Sequence, residues 1–478
     1  MEQINQSETI AAISTPAGTG GIAVIRVSGP EAVKLVNQAW KGTDLNKVKS
    51  HTLHLGKYYS TDGNLLDEAV ASIFLAPNSF TGEDVVEISM HGSSWIQREV
   101  LNDLVRRGIR IANPGEFTQR AFLNGKIDLA QAEGIADLIA SSSKAAHDLA
   151  ISQTRGLFSK EFELLREKLI EFASLIELEL DFSEEDVEFA NRPALISLCE
   201  KILNKVNELA SSYSRGSALK NGVPVVIAGI PNAGKSSLLN LLIGDDKAIV
   251  TDIPGTTRDI IEDSVEINGI LYRFIDTAGI RDTVDVVEGM GVERALQALN
   301  KAEIVIWMID STSPFAPQLS ELKKYLNISA NSETNHSETL PKADLSLEHS
   351  LILLFNKCDI SEKSISDEIT KEKINSPILF STKTHQGLQP LLEKLHELAS
   401  SGSDPEKDIL ITNARHYEAL TKASKALSSA IDSLKDSISP DFIAQDIREA
   451  ITHLSSLTGS ITSDTLLHSI FSRFCIGK

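Results

Sequence analysis

The sequence predicts a multidomain α/β and α protein. A parallel-sheet domain with helices on both faces is inserted in an α-helical domain and preceded by an α+β domain. Three observations carry this. Between residues 219 and 402, short β-branched runs alternate with helical patterns, as in a covered parallel sheet. On either side, over 126–218 and 403–478, apolar residues recur at spacings of three and four. Residues 1–125 mix alternating strands with a helix and turn residues. Two helical stretches flanking one sheet domain read as a single helical domain split by an insertion.

The whole chain sets the bounds. At 478 residues it is too long for one core. Hydrophobic residues at 42% and charged residues at 23% are ordinary for a globular protein. A formal charge of −20 argues against coating nucleic acid unaided, so such a substrate would need a local basic patch or a partner. Met1 to Gln6 carries no basic n-region before an apolar core, so no signal peptide is expected. No apolar run is long enough for a bilayer, and no membrane is expected as partner. Cys199, Cys358 and Cys475 are scattered and form no metal pattern, which suits a reducing cytoplasm.

In order along the chain, Gly21–Gly29, Ala69–Leu75 and Asp84–Gly92 read as strands, and Trp95–Arg107 as a helix. Asn113-Pro114-Gly115-Glu116 is turn chemistry. Arg98, Arg106, Arg107, Arg110, Arg120 and Lys126 form a modest basic group whose commonest role is a solvated face. Leu164, Leu165, Leu169, Phe172, Leu175, Ile176 and Leu178 make a helical stripe, as do Ile443, Ile447, Ala450, Ile451 and Leu454. Pro193 suits a helix start. Asn268-Gly269 marks a hairpin, and the polar stretch 329–349 reads as a loop insertion.

The chemistry centres on Gly229-Ile230-Pro231-Asn232-Ala233-Gly234-Lys235-Ser236-Ser237, between the strand Val225–Ala228 and a helix from Leu238. It fits the phosphate-cradling loop, with Lys235 reaching the outer phosphates and Ser236 ligating Mg²⁺. Asp276-Thr277-Ala278-Gly279 follows, with Asp276 for the Mg²⁺ shell and the Gly279 N–H for the γ-phosphate. Asn356-Lys357-Cys358-Asp359 ends an apolar run. Guanine offers N1–H and a 2-amino group side by side, so Asp359 selects GTP over ATP, while Lys357 stacks along the base. Ser381-Thr382-Lys383 reads as the last base-contacting loop, and Thr257 completes the Mg²⁺ shell. Their order defines a P-loop GTPase. The position that holds a water-orienting Gln in Ras-type enzymes is Ile280, so the helper lies elsewhere, with Asp282, Asp285 and Glu288 as acidic candidates.

Over nearly its whole length the chain resembles the tRNA-modification GTPase family MnmE, also called TrmE. The resemblance rests on Pro231–Ser237 and Val250–Asp259. Outside the nucleotide domain it rests on Asn78–Asp84, Pro114–Phe117, Ala121–Leu129 and Phe474–Lys478. It implies a homodimer whose first 125 residues bind a reduced folate such as 5-formyltetrahydrofolate, through Arg26, Glu87, Lys126 and Lys478. It implies a hetero-oligomer with an FAD-containing MnmG-type partner, which places a carboxymethylaminomethyl or aminomethyl group on C5 of the tRNA wobble uridine. It also implies K⁺ held by Asn232, Thr251, Ile253 and Thr256, Mg²⁺ on Ser236 and Thr257, and Glu288 orienting the attacking water. Within the family motif, Asp252, Pro254 and Gly255 join the GTP contacts. The alternative is a GTPase switch in ribosome assembly with no modified-nucleoside product; the acidic helical flanks supply no RNA-binding module for it.

Overall fold

Period-two alternation builds the first sheet. Its strands are β1 (Ile10–Ile13), β2 (Ile22–Ser28), β3 (Trp40–Gly42), β4 (Thr52–Tyr59), β5 (Leu65–Phe74), β6 (Val85–His91) and β7 (Arg110–Ile111). Their order is β3-β4-β5-β6-β2-β1-β7, antiparallel except for the β1–β7 edge. The computed structural model describes residues 7–181, 192–244, 263–275, 299, 301–331, 350–360, 377–400, 409–436, 438–461, 464–472, 474 and 477. The chain divides into two compact units. One is Met1–Ile139, Gln153–Val206 and Ala419–Lys478; the other is Ala140–Ser152 and Asn207–Glu418.

In the first unit, Ala23, Ile25 and Val27 of β2 and Val86, Ile88 and Met90 of β6 point into one core. That core lies under α1 (Ala32–Ala39) and α2 (Ser94–Arg106). The opposite face carries Val24 and Arg26. Cross-strand register sets Arg26 beside Glu87, Glu87 beside Ser72, and Ser72 beside Leu53. On this face Ile22, Leu53 and Leu55 are 71%, 72% and 67% exposed, an open apolar margin beside the Arg26–Glu87 pair. The β1 end of the face is closed by Phe117 from α3 (Glu116–Leu123), against Ile10, Ala12 and Ala112.

A buried ion cluster locks this arrangement. Arg120, fully buried, donates from Nη1 to Glu83 Oε1 at 3.0 Å and to the Glu8 carbonyl at 2.8 Å, and from Nη2 to Glu116 Oε1 at 3.0 Å. Glu116 also accepts from Arg110 Nη1 at 3.0 Å and from the Asn113 N–H at 2.8 Å. Glu83 Oε2 takes the Ser28 hydroxyl at 2.7 Å. Residues Asn78–Asp84 and Pro114–Phe117 therefore share one clamp. The basic group divides: Arg98, Arg106 and Lys126 are exposed, as a solvated face requires, whereas Arg107 pairs with Asp103 and Arg110 and Arg120 join the clamp.

Helices complete the unit. In α4 (Leu129–Ala140), α6 (Leu157–Asp181), α7 (Arg192–Ser211), α12 (Ala414–Lys435) and α13 (Pro440–Thr458), one stripe is buried. Leu165, Leu169, Phe172 and Ile176 of α6 are buried, as are Ile443, Ile447, Ala450 and Leu454 of α13, which packs on α6. Leu164 departs from the expected stripe: it is 47% exposed, one position off the buried face. The end of the chain returns to the first domain. α14 (Asp464–Phe471) packs on α3, and the Gly477 carbonyl accepts from the Ser14 hydroxyl at 3.1 Å. A Cβ at Gly477, where φ is +99°, would lie 2.3 Å from the Ile13 carbonyl oxygen.

The second unit holds a six-stranded sheet of order β13-β12-β11-β8-β10-β9. The strands are β8 (Val223–Gly229), β9 (Asp263–Ile267), β10 (Ile270–Phe274), β11 (Ile304–Asp310), β12 (Ser350–Asn356) and β13 (Ile378–Leu379). All pairings are parallel except the β9–β10 hairpin, which turns at Asn268-Gly269 as expected. Every residue of β11 is buried, as a central parallel strand requires. Around the sheet stand α8 (Tyr213–Asn221), α9 (Lys235–Gly244), α10 (Phe315–Asn331) and α11 (Leu388–Ser400). The N-terminus of α5 (Lys144–Thr154) meets the hairpin, where the Ala145 N–H donates to the Gly269 carbonyl at 2.9 Å. Residues 329–331, expected in a loop, are the last of α10; the rest of that stretch lies outside the described residues.

Burial works against the Glu116 charge, but hydrogen bonds from Arg110, the Asn113 N–H and Arg120 outweigh it and hold the carboxyl below its usual range. Its contribution is therefore complete above the unfolded glutamate value of about 4.3 and is lost as pH falls through the lower folded value. Replacing Arg120 with Met leaves two carboxylates short of a partner in the interior. We expect Arg120→Met to lower stability by about 3–5 kcal/mol at pH 7, with less loss below about pH 4. Urea unfolding at both pH values checks this; a loss under about 1 kcal/mol at pH 7 would show that the clamp is dispensable.

Candidate functional site

The parallel strands of the second unit end together at one edge of the sheet, where ligands of open α/β sheets bind. Gly229 ends β8, Asp310 ends β11, Asn356 ends β12, and Phe380–Ser381 follow β13. Register places Gly229 beside Met308 and Asp310 beside Asn356.

β8 passes through residues 230–234 directly into α9. Gly229 and Gly234 have φ of +139° and +101°, and Asn232 has +63°. A Cβ on Gly229 would lie 2.3 Å from the Met308 carbonyl oxygen, and one on Gly234 2.2 Å from Asn356 Nδ2. Side chains are thus barred at both glycines by neighbouring strands, and the loop leads into the N-terminus of a ten-residue helix, which suits phosphate. Ala233 is buried and Ser237 exposed, while Lys235 and Ser236 are half-buried. Lys235 Nζ donates to the carbonyls of Gly229 at 2.8 Å and Ile230 at 2.9 Å, holding it over the loop. Burial lowers its pKa.

The base-side loops interlock with this phosphate loop. Asn356, fully buried, donates from Nδ2 to the Ala233 carbonyl at 2.8 Å and accepts at Oδ1 from the Thr382 N–H at 3.1 Å. Asn356 therefore ties the phosphate loop to the Ser381-Thr382-Lys383 loop. Within that loop Ser381 is buried, and its hydroxyl accepts from the N–H groups of Lys383 and Thr384 at 3.3 and 3.2 Å. The Cys358 N–H donates to the Phe380 carbonyl at 3.1 Å, while Asp359 beside it is exposed, open to a base edge.

Sequence reasoning missed one participant. Asp310 lies 2.6 Å from Lys357 Nζ. Its signal was a carboxylate closing the apolar run Ile304–Ile309 at a strand's C-terminal end. Burial opposes the charge of Asp310, yet hydrogen bonds from Lys357 and Thr312 keep its carboxyl below the usual range. Thr251, Asp252, Ile253, Pro254, Gly255, Thr256, Thr257, Asp276, Thr277, Ala278, Gly279 and Glu288 lie outside the described residues. Among the described residues, no group of three His, Cys, Asp or Glu side chains is placed to hold a metal.

In the first unit, Arg26 Nε donates to Glu87 Oε1 at 2.9 Å, with the guanidinium 5.1 Å from the Phe80 ring and 5.6 Å from the Phe117 ring. Lys126 Nζ donates to the Pro77 carbonyl at 2.9 Å, on the loop that carries Phe80. Arg26, Glu87 and Lys126 thus gather around residues 77–87, and Gly477 is anchored to Ser14; Lys478 lies outside the described residues. The two phenylalanines were not anticipated as neighbours of Arg26.

The phosphate loop, the buried asparagine tie and the exposed Asp359 together define a P-loop domain of the guanine-nucleotide class. Comparison carries this further. Residues 9–126 match the sequence model of the GTP-binding protein TrmE N-terminus, and 129–475 that of the MnmE helical domain. The tRNA modification GTPase MnmE of Bacteroides fragilis is 49% identical over 481 residues, covering 98% of this chain and 99% of its own. That of Parabacteroides distasonis is 48% identical over 476 residues, covering 98% and 100%. That of Cytophaga hutchinsonii is 46% identical over 478 residues, covering 99% and 98%. The chain belongs to the MnmE family of tRNA modification GTPases.

Proposed function

We propose that this protein hydrolyses GTP in the service of tRNA modification, with an FAD-containing MnmG-type partner. Together they would place a carboxymethylaminomethyl or aminomethyl group on C5 of the wobble uridine of certain tRNAs. The carrying observation is a guanine-type site in a chain alignable over 98% of its length with a tRNA modification GTPase. In this reading residues 1–125 bind folate and dimerise, 126–218 with 403–478 form the helical domain, and 219–402 form the GTPase. The exposed Ile22, Leu53 and Leu55 supply an apolar margin suited to a second copy of the chain. In this reading the protein works in the cytoplasm; no helix among the described residues is long and apolar enough to cross a membrane.

Each residue has a role in this reading. Asp359 takes the N1–H and 2-amino group of guanine, and Lys357 lies along the base. Lys235 leaves its loop carbonyls for the outer phosphates. Ser236 with Thr257 would hold Mg²⁺, and Asn232 with Thr251, Ile253 and Thr256 would hold K⁺. Bound there, the two cations supply positive charge against the charge developing on the transferred phosphoryl group. Glu288 orients the attacking water. Glu87 reads the pterin edge of a reduced folate, for which its bond to Arg26 must be exchanged, while Arg26, Lys126 and Lys478 meet the anionic tail.

Three measurements test these assignments. The wobble-nucleoside profile of tRNA from cells lacking the protein should lose the C5-modified uridines; an unchanged profile would refute a part in this modification. Hydrolysis of GTP should be fast in K⁺ and slow in Na⁺, with Asn232→Ala erasing the difference and Glu288→Ala lowering kcat at least about 100-fold while sparing affinity. Equal wild-type rates in both salts would remove the potassium assignment. Calorimetry with 5-formyltetrahydrofolate should show binding to wild type and none to Glu87→Ala, while GTP hydrolysis continues. Equal binding by both, or by neither, rules Glu87 out.

A further inference from the structure

We infer that Asp310 is a positioning residue for guanine-nucleotide binding, fixing the Lys357 side chain alongside the place of the base. The inference rests on the reading of Lys357 proposed above and extends it to a residue outside the nucleotide motifs.

The geometry is that of a built holder. The Asp310 side chain is 7% exposed, at the end of the central strand β11. Its Oδ1 accepts from the Thr312 N–H at 2.9 Å and the Thr312 hydroxyl at 2.6 Å, which leaves Oδ2 to receive Lys357 Nζ at 2.6 Å. The backbone of Asp310 is itself held by one side chain: its N–H donates to Gln318 Oε1 at 2.9 Å, and its carbonyl accepts from Gln318 Nε2 at 3.0 Å. Gln318 is buried, so the holder is anchored to α10.

Lys357 is unusual at the other end. Its φ is +65°, a left-handed conformation that side chains other than glycine adopt at a cost and that clusters at ligand sites. The Cys358 N–H on the Phe380 carbonyl and the Ile360 N–H on the Lys357 carbonyl keep the backbone there. A lysine stem is flexible, and immobilising it on binding would cost affinity. Here both ends of the stem are fixed before a ligand arrives, and the side chain remains 32% exposed, so part of it is open to a base. Asp310 acts through Lys357 and touches no reacting atom.

The test is a double-mutant cycle in the full-length protein. Asp310→Asn keeps the shape and an acceptor for Thr312 but loses the charged partner. It should weaken GTP and GDP binding about tenfold, raise KM to match and leave kcat at saturating GTP unchanged. Lys357→Met should weaken binding similarly, and adding Asp310→Asn to it should cost nothing further. Additive losses would overturn the inference by making Asp310 merely structural, with the reading of Lys357 intact. So would unchanged affinity in Asp310→Asn. Unchanged affinity in Lys357→Met would overturn both readings, and this separates the two failures. If Asp310→Asn does not fold, Thr312→Ala takes its place in the cycle. It removes the hydroxyl bond to the carboxylate but keeps the Thr312 N–H bond and the charge, and should give a smaller loss that again vanishes beside Lys357→Met.

Discussion

The nucleotide edge depends on a single buried amide. Asn356 meets the Ala233 carbonyl with its nitrogen and the Thr382 N–H with its oxygen. Removing that side chain would strand a carbonyl and an N–H where Asn356 now excludes water, and unpaired buried groups are costly. Its approach also explains a glycine. Gly234 lies where a Cβ would be 2.2 Å from Asn356 Nδ2, so a side chain is barred there by the protein's own tie as well as by an incoming phosphate. Parallel register extends the constraint: β11 sets Asp310 opposite Asn356, and β13 delivers Phe380 and Ser381 beside it. The loops are members of one bonded assembly, which holds the edge in a binding geometry.

The first unit uses the same economy with charges in place of an amide. Arg120 joins Glu83, Glu116 and the Glu8 carbonyl, and through them the 77–84 loop, the start of α3 and the strand end before β1. Buried ion pairs contribute little net stability when complete and cost much when broken, so their value lies in fixing one arrangement. The arrangement fixed here sets Phe80 and Phe117 beside the Arg26 guanidinium. The cation lies between the closed and open parts of one sheet face, with Phe117 buried on one side and Phe80 exposed on the other.

Much of this was legible in the sequence. Strands with strong alternation or continuous apolar runs, such as β2, β6 and β8, were found close to their observed bounds, and the Asn268-Gly269 hairpin was placed correctly. Short edge strands such as β3 and β7 carry too few residues for a period to show. The nucleotide motifs were readable because backbone geometry and base chemistry fix residue types at fixed spacings. Asp310 was not, since its partner lies 47 residues away and only sheet register joins them. Arg107, Arg110 and Arg120 depart from the expected solvated face for a related reason. Composition counts charges along the chain, whereas the partners of Arg107 and Arg110 come from folding, with Asp103 one helical turn away and Glu8 at the far end of the domain.

That pairing bears on how an acidic protein handles a polyanion. A phosphate contact gains from release of counterions, and it needs a cation whose charge is not already matched. Arg107 and Arg120 are buried against carboxylates, and recruiting either to a phosphate would break a pair that the fold uses. With a net charge of −20 the long-range field also repels nucleic acid. Under the proposed function, then, Arg107, Arg110 and Arg120 are poorly placed to hold the tRNA, which leaves the exposed Arg98 and Arg106 of that group. Few phosphate contacts from this chain, supplemented by those of a partner, satisfy both the electrostatics and the fold. Under that proposal a second protein would have a physical as well as a chemical role, because Arg107, Arg110 and Arg120 of this chain are engaged in holding its own fold together.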